Sequence, residues 1–295
     1  MMSSTSLLLL GFVLWTTVSL RTYVTGLTAH TAWKWAIVAV AATLIAVGLR
    51  LIPAVPAGIT SAIHSIAATL LLTPLVDILG ARNPGHRAWP WFVVTPMIVV
   101  LQWPTISHLF SERLETALIT PLPATIGFLL VLVMGAGNYF GTANTSACLF
   151  GVTGIGLFAL PVTEWHAWPG DVACLAASIC LAITALLIEG RLKANNAKSG
   201  HKQLWIDFRD LYGMVWSRRV MDRINQFADR EKWNVSMTLD GFCPRNESQQ
   251  RPQDTERPEE ILRWVLSRFT DDEFLNRYLT IPASQQKYDP TRSGG

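Results

Sequence analysis

The feature that most constrains this chain is where its charges are missing. The 295 residues include 24 Lys and Arg and 21 Asp and Glu, yet only twelve of these lie in residues 1–189. Those twelve punctuate long apolar runs. A hydrocarbon core ~30 Å thick is crossed by ~20 apolar residues in a helix that rises ~1.5 Å per residue. Seven stretches meet that need, at about 5–25, 33–52, 58–79, 89–110, 121–140, 146–163 and 171–189. In lipid an open sheet edge would leave backbone groups unpaired, so all seven are expected to be helices. Pro96, Pro104, Pro121 and Pro123 interrupt or begin the fourth and fifth. Gly151, Gly154 and Gly156 mark the short sixth.

Composition agrees. Half the residues are hydrophobic, 15% are charged, and the mean hydropathy is +0.30. A disordered chain, a collagen and a disulfide-rich secreted module are excluded. The expected fold is all-α: a polytopic transmembrane bundle of about seven spans with a small, mainly helical cytoplasmic C-terminal region. The bundle occupies residues 1–189 and a basic linker 190–202. A cytoplasmic helical region follows over 203–280, with a disordered loop at 243–257, and a disordered tail covers 281–295.

The basic residues set the orientation. With the N-terminus outside, the inner segments carry Arg21, Lys34, Arg82, Arg87, Arg191, Lys193, Lys198 and Lys202, and the outer ones only Arg50 and Arg113. That bias places the C-terminus in the cytoplasm of a cell membrane. Trp33, Trp35, Trp89 and Trp91 fall at the inner interface and Trp165 and Trp168 at the outer one, where amphipathic rings are favoured. The first span lacks the basic residues that precede a signal-peptide core, so it is expected to be a retained helix. Cys148, Cys174, Cys180 and Cys243 form no C-x-x-C pair and read as small packing residues.

In the C-terminal region Trp205, Phe208, Tyr212, Trp216, Val220, Ile224 and Phe227 recur at steps of three and four, one stripe on a helix. Gly213 weakens its middle by ~1 kcal/mol relative to Ala. The charges between Leu204 and Trp233 are nearly balanced, unlike the strongly basic face of a helix lying on a membrane. The stripe is therefore assigned to packing within the domain or to docking a partner, with Trp205, Phe208, Tyr212, Trp216, Ile224 and Phe227 as the docking residues. Residues 233–242 suit a short strand or turn. Pro258, Glu259 and Glu260 start another helix. Thr270 to Glu273 fits a capping box that opens a last helix through Leu279.

Two polar groupings sit at the span ends. On the outer side, His64, His108, Glu112 and His166 are the candidates for a metal, a haem or a proton path, since imidazole both ligates and titrates near neutral pH. No two of these histidines share a helix at i, i+3 or i+4, so the spacing does not specify a metal site and no cofactor is expected. On the inner side, Asp77, Arg82, Arg87 and Asn138 suit structural anchoring of the tail, with substrate gating as the sharper alternative. Gly135-Ala136-Gly137-Asn138-Tyr139 lacks the lysine of a phosphate loop and reads as close helix packing.

The stretch Leu72-Thr73-Pro74-Leu75-Val76-Asp77-Ile78-Leu79-Gly80-Ala81-Arg82-Asn83-Pro84-Gly85, then Arg87-Ala88-Trp89, resembles uncharacterised bacterial multi-span membrane proteins. Gly137-Asn138-Tyr139 and Trp205-Ile206-Asp207-Phe208-Arg209-Asp210 add to the resemblance. It implies a bacterial inner-membrane location and transfers no activity and no site residue. Seven spans with an outer N-terminus also resemble the topology of membrane-embedded zinc amidases, but their paired histidines are missing from the seventh span.

Three functions remain. The first is a non-catalytic anchoring or assembly protein, which docks a cytoplasmic partner or a second copy through its tail. The second is a small-solute transporter or channel, suggested by Pro74, Pro96, Pro104 and Pro161. The third is a membrane enzyme or haem protein using the outer histidines. No catalytic residue is assigned, and the partners are the bilayer and protein, not nucleic acid.

Overall fold

The structure is a computed structural model that describes residues 2–80, 89–111, 114–165, 168–195, 200–245 and 256–279. Most of these are helical. The bundle consists of α1 (Met2–Ser19) with its continuation α2 (Arg21–Val24), α3 (His30–Leu49), α4 (Ala57–Leu70) with α5 (Thr73–Gly80), α6 (Trp89–Leu109), α7 (Leu122–Gly137), α8 (Thr145–Ala159) and α9 (Gly170–Asn195). Among the described residues six stretches are long and apolar enough to cross a membrane: Met2–Val24, His30–Leu49, Ala57–Gly80, Trp91–Leu109, Thr145–Val162 and Gly170–Ala194. Helix α7 is as apolar but has 16 residues, roughly 24 Å of rise.

Hydrogen bonds between loops define the two ends of the bundle. At the first end Gly58 N–H donates to Leu114 O (2.9 Å), Leu118 N–H to Ser61 Oγ (2.7 Å) and Thr120 N–H to Val162 O (2.7 Å). At the other end the residues after α2 and α7, and Ile78 near the end of α5, meet the C-terminal module. Helix α7 thus runs the length of the bundle, from Thr120 beside Val162 to Asn138 beside the module.

The bundle wears its apolar residues outside. Leu8 is 78% exposed, Phe92 72% and Phe110 89%. No aqueous surface tolerates such a band over several helices, whereas lipid does. Inside, the helices pack through small residues: Ala39, Ala46, Ala67, Ala68, Ala177 and Ala182 all belong to the buried core. Buried hydroxyls return their protons to the preceding turn, as Thr43 does to Ala39 O (2.8 Å) and Ser178 to Cys174 O (2.7 Å). Close packing was expected around Gly135, and a Cβ there would stand 2.8 Å from Leu75 Cβ.

The C-terminal module contains α10 (His201–Arg230), a hairpin of β1 (Val235–Thr238) and β2 (Gly241–Pro244), α11 (Glu256–Leu266) and α12 (Asp272–Tyr278). The hairpin pairs Val235 with Pro244 and Thr238 with Gly241. Several boundaries differ from the sequence reading. Helix α9 continues six residues into the expected linker, where Arg, Leu, Lys and Ala are good helix formers and Lys193 pairs with Glu189 at 2.6 Å. Cys243 and Pro244 belong to β2 rather than to the loop, most of which lies outside the described residues, as does the segment 281–295. The last helix is capped one residue later than expected: Asp271, not Thr270, accepts from Phe274 N–H (2.9 Å), while the Thr270 hydroxyl turns back to Leu266 O (3.1 Å).

Candidate functional site at the junction of bundle and module

The aromatic stripe finds its partners inside the chain. Trp205, Phe208, Tyr212, Trp216 and Ile224 are buried and Phe227 is half-buried. They pack with Leu262, Val265, Leu266 and Phe269 of the module, and with Leu27, Ala29, Ala32 and Ile78 of the bundle. Phe269 meets Phe208, Tyr212 and Trp216 edge-on, with ring centroids 5.2 to 5.4 Å apart. The stripe is therefore consumed by the fold. The docking face expected of these six residues is not open, because the same rings that would greet a partner seal the module onto the bundle.

Gly213 does more than weaken α10. Its φ of 79° and ψ of −175° break the helix into two arms. A break of this kind frees a carbonyl from the first arm and N–H groups from the second, and buried groups of this sort need partners. Asn138, just past α7, supplies them. Its side-chain amide donates to Tyr212 O (2.9 Å), its Oδ1 accepts from Val215 N–H (3.0 Å), and its own carbonyl accepts from Met214 N–H (2.7 Å). A Cβ at Gly213 would collide with the Asn138 amide, so both the positive φ and the close approach demand glycine.

The neighbouring loop residues lock the same place. Tyr139 O–H donates to Leu211 O (3.2 Å) and Asn144 Nδ2 to Asp210 O (2.7 Å), while Ala143 N–H donates to Asp210 Oδ1 (3.1 Å). Trp216 Nε1–H donates to Ile78 O at the end of α5 (2.9 Å). The loop before α3 pairs with the loop before α12: Thr28 N–H donates to Phe269 O (2.9 Å) and Asp271 N–H to Gly26 O (2.8 Å). Tyr212 ties these together, its hydroxyl lying 2.9 Å from both Thr28 Oγ1 and Phe269 O. Burial pushes the Tyr212 phenol up to about 12 and moves Tyr139 in the same direction.

Of the inner group, Asn138 thus lies at the centre of the junction, and Asp77 sits next to Ile78 on α5. Asp77 is buried, and its two carboxylate oxygens have no hydrogen-bond partner among the described residues. The Thr31 hydroxyl bears on it but gives its proton to Thr28 O (3.0 Å). Arg82 and Arg87 lie outside the described residues. Sequence reasoning missed Gly26, Thr28 and Asp210 as junction residues. Their signal was faint: Gly26 and Thr28 fall in a short loop between spans, and Asp210 is one of several acids on α10.

Of the outer group, His64 and His108 stand apart. His64 is fully buried in α4, with Nε2 2.6 Å from Phe158 O and its ring stacked on Phe158 at 4.1 Å between centroids. His108 lies over the start of α4, since a Cβ at Gly58 would stand 2.9 Å from its Nε2. Six residues separate Gly58 from His64, about 9 Å of helix, so the structure does not bring the two imidazoles to one point. Glu112 and His166 lie outside the described residues. Among the described residues no group of three or more His, Cys, Asp or Glu is placed to hold a metal. No family model, curated protein or solved structure matches the chain.

Proposed function

We propose that this chain is a non-catalytic anchoring protein of the bacterial inner membrane. Seven spans thread the bilayer with the N-terminus outside, and the C-terminal module is held rigidly at the cytoplasmic face for a protein partner or a second copy to engage. The observation that carries this reading is the clasp of Asn138 on the broken helix at Gly213, because three hydrogen bonds there make the module an extension of the bundle. The seventh crossing is assigned to α7, whose shortness is accommodated by local thinning of the bilayer. Reporter fusions test the wiring: the ends belong in opposite compartments, and both in one compartment overturns it. Proteolysis of sealed inside-out vesicles tests the anchoring. Asn138→Ala leaves Tyr212 O and Val215 N–H without their partners at about 1–3 kcal/mol each, so the variant module is cut faster than the wild type. Equal rates overturn the rigid anchor.

A second reading, passage of a small polar solute, has one observation in its favour. A cavity of about 30 Å³ lies among Ser65, Thr69, Thr120, Thr125 and Thr163, which is the room of about one water. Behind it Gln102 donates to Ser65 O (3.1 Å) and Thr69 Oγ1 (2.5 Å), while its Oε1 has no partner among the described residues. Solute flux into vesicles, present in the wild type and lost in Thr69→Val, would favour this reading over the anchor.

A further inference from the structure

The stripe is spent inside the chain, but the second α10 arm also carries exposed arginines along the edge of the stripe and beyond it. Arg218, Arg219 and Arg223 are exposed there, as is Arg268 beside them on the α11 side. Three of these guanidinium groups lie over rings: Arg219 Cζ is 4.9 Å from the Trp216 ring centroid, Arg223 Cζ 4.9 Å from that of Phe227 and Arg268 Cζ 5.0 Å from that of Trp264. Phe227 and Trp264 meet edge-on at 5.7 Å, so Arg223 and Arg268 stand on one aromatic pair, while Arg219 stands on Trp216. None of the four is in an ion pair among the described residues. The acids nearby are Asp222, exposed between the arginines, and Asp229, which is engaged by Arg245 at 2.6 Å. Stacking holds a guanidinium fork in place while leaving its donors free, which suits phosphate oxygens.

The position of this face selects among phosphates. Trp216, which carries Arg219 on its ring, gives its indole proton to Ile78 O, two residues from the end of α5. The arginine face therefore begins at the level where a span leaves the hydrocarbon. The headgroup layer beyond that level is only about 5–8 Å deep on each side. Arg21 and Lys34, exposed at the same end of the bundle, stand at this level too.

We propose that Arg218, Arg219 and Arg223 form a site for the phosphate headgroups of anionic phospholipids in the surrounding leaflet. This rests on the membrane-spanning reading above. The site adds lipid selectivity to the anchor: the module is oriented by the bundle on one face and by headgroups on the other.

The test is native mass spectrometry of the full-length protein released from vesicles of phosphatidylcholine mixed with phosphatidylglycerol. The wild type is expected to retain phosphatidylglycerol in preference to phosphatidylcholine. Replacing all three arginines (Arg218→Gln, Arg219→Gln, Arg223→Gln) should lower that preference at least about tenfold. The distal replacements Lys202→Gln, Lys232→Gln and Arg245→Gln should leave it within about twofold. No headgroup preference in the wild type, or one unchanged by the arginine replacements, overturns the proposal. So does loss of the lipid to added inorganic phosphate alone, which would mark a free-phosphate site. Protease resistance of the module, measured in the same samples, reports separately on the anchor and should not change in the arginine variant.

Discussion

The bundle and the module bury different kinds of side chain. Among the described residues the bundle core is built from Ala, Leu, Val and Ile, with Phe128 and Phe158 as its buried rings, whereas the module core holds Trp205, Phe208, Tyr212, Trp216, Phe269 and Phe274. Their surfaces differ in the opposite sense. Large apolar residues crowd the outside of the bundle, while Val215 and Leu239 are the exposed ones among the described residues of the module. One physical difference accounts for both. A leucine that leaves lipid for a helix interface gains no hydrophobic free energy, so spans associate by close contact through small residues. A ring that leaves water gains in proportion to its area, so a small water-facing domain relies on its largest side chains. The contrast marks which solvent each half was built for.

The comparison breaks first at Trp205. Its indole is fully buried and donates to Thr238 O (3.0 Å) and Leu239 O (3.1 Å), joining α10 to the hairpin. Trp205→Ala is expected to cost the module about 3–5 kcal/mol. Pulse proteolysis in urea, applied to the reconstituted protein, should show the module cut at much lower denaturant. An SDS titration of the bundle's helical signal should barely move, because the site lies in the module alone. Movement of both would mean that the two cores are one.

What the sequence made legible follows the same division. Apolar length announced the spans, because lipid demands an uninterrupted run and nothing non-local alters that. The 3.7-residue stripe from Trp205 to Phe227 announced a helix. What it would pack against was hidden, since part of its covering comes from Leu27, Ala29, Ala32 and Ile78, more than a hundred residues earlier in the chain. Gly213 read as a mild local cost for the same reason: the partner that turns it into a break is Asn138, and no local pattern links the two. Asn138 itself was legible as a candidate for anchoring the tail at an inner span end, but the break at Gly213 that it holds was not. His64 and His108 looked like a pair because sequence shows only that both lie towards one end of the bundle, not that His64 sits about 9 Å deeper along α4 than the place where His108 lies.

Gly154 sharpens the contrast from the bundle's side, with a smaller effect. A Cβ there would stand 3.1 Å from Ala177 O and 3.1 Å from Cys180 Cβ, tighter than ordinary contact. Gly154→Ala must push α8 away from α9, at about 1–3 kcal/mol. In water-driven packing an added methyl often repays some of its strain by burial, but between spans that compensation is missing. The SDS midpoint of the bundle should fall while the module's resistance to pulse proteolysis stays at the wild-type value. A Gly154→Ala protein as stable as the wild type would show that α8 and α9 are loosely packed and would remove the small-residue argument.

The smallest effect concerns the seam between the regions. At neutral pH Tyr212→Phe removes one hydroxyl shared with Thr28 and Phe269 and should cost about 1 kcal/mol. Alkaline pH gives the more telling measurement. Burial raises Tyr212 from 10.0 to about 12, with its bond to Thr28 acting in the opposite direction. Between about pH 10 and 12 the folded phenol keeps a proton that the unfolded chain has lost, so stability falls as pH rises through that window and is fully present below it. The module of the wild type should therefore become protease-sensitive above about pH 10. Tyr212→Phe should flatten that dependence, and adding Tyr139→Phe should flatten it further, because Tyr139 is shifted upward by the same burial. An alkaline profile identical in all three proteins would mean that the seam opens for another reason and that these two phenols are not sealed within it.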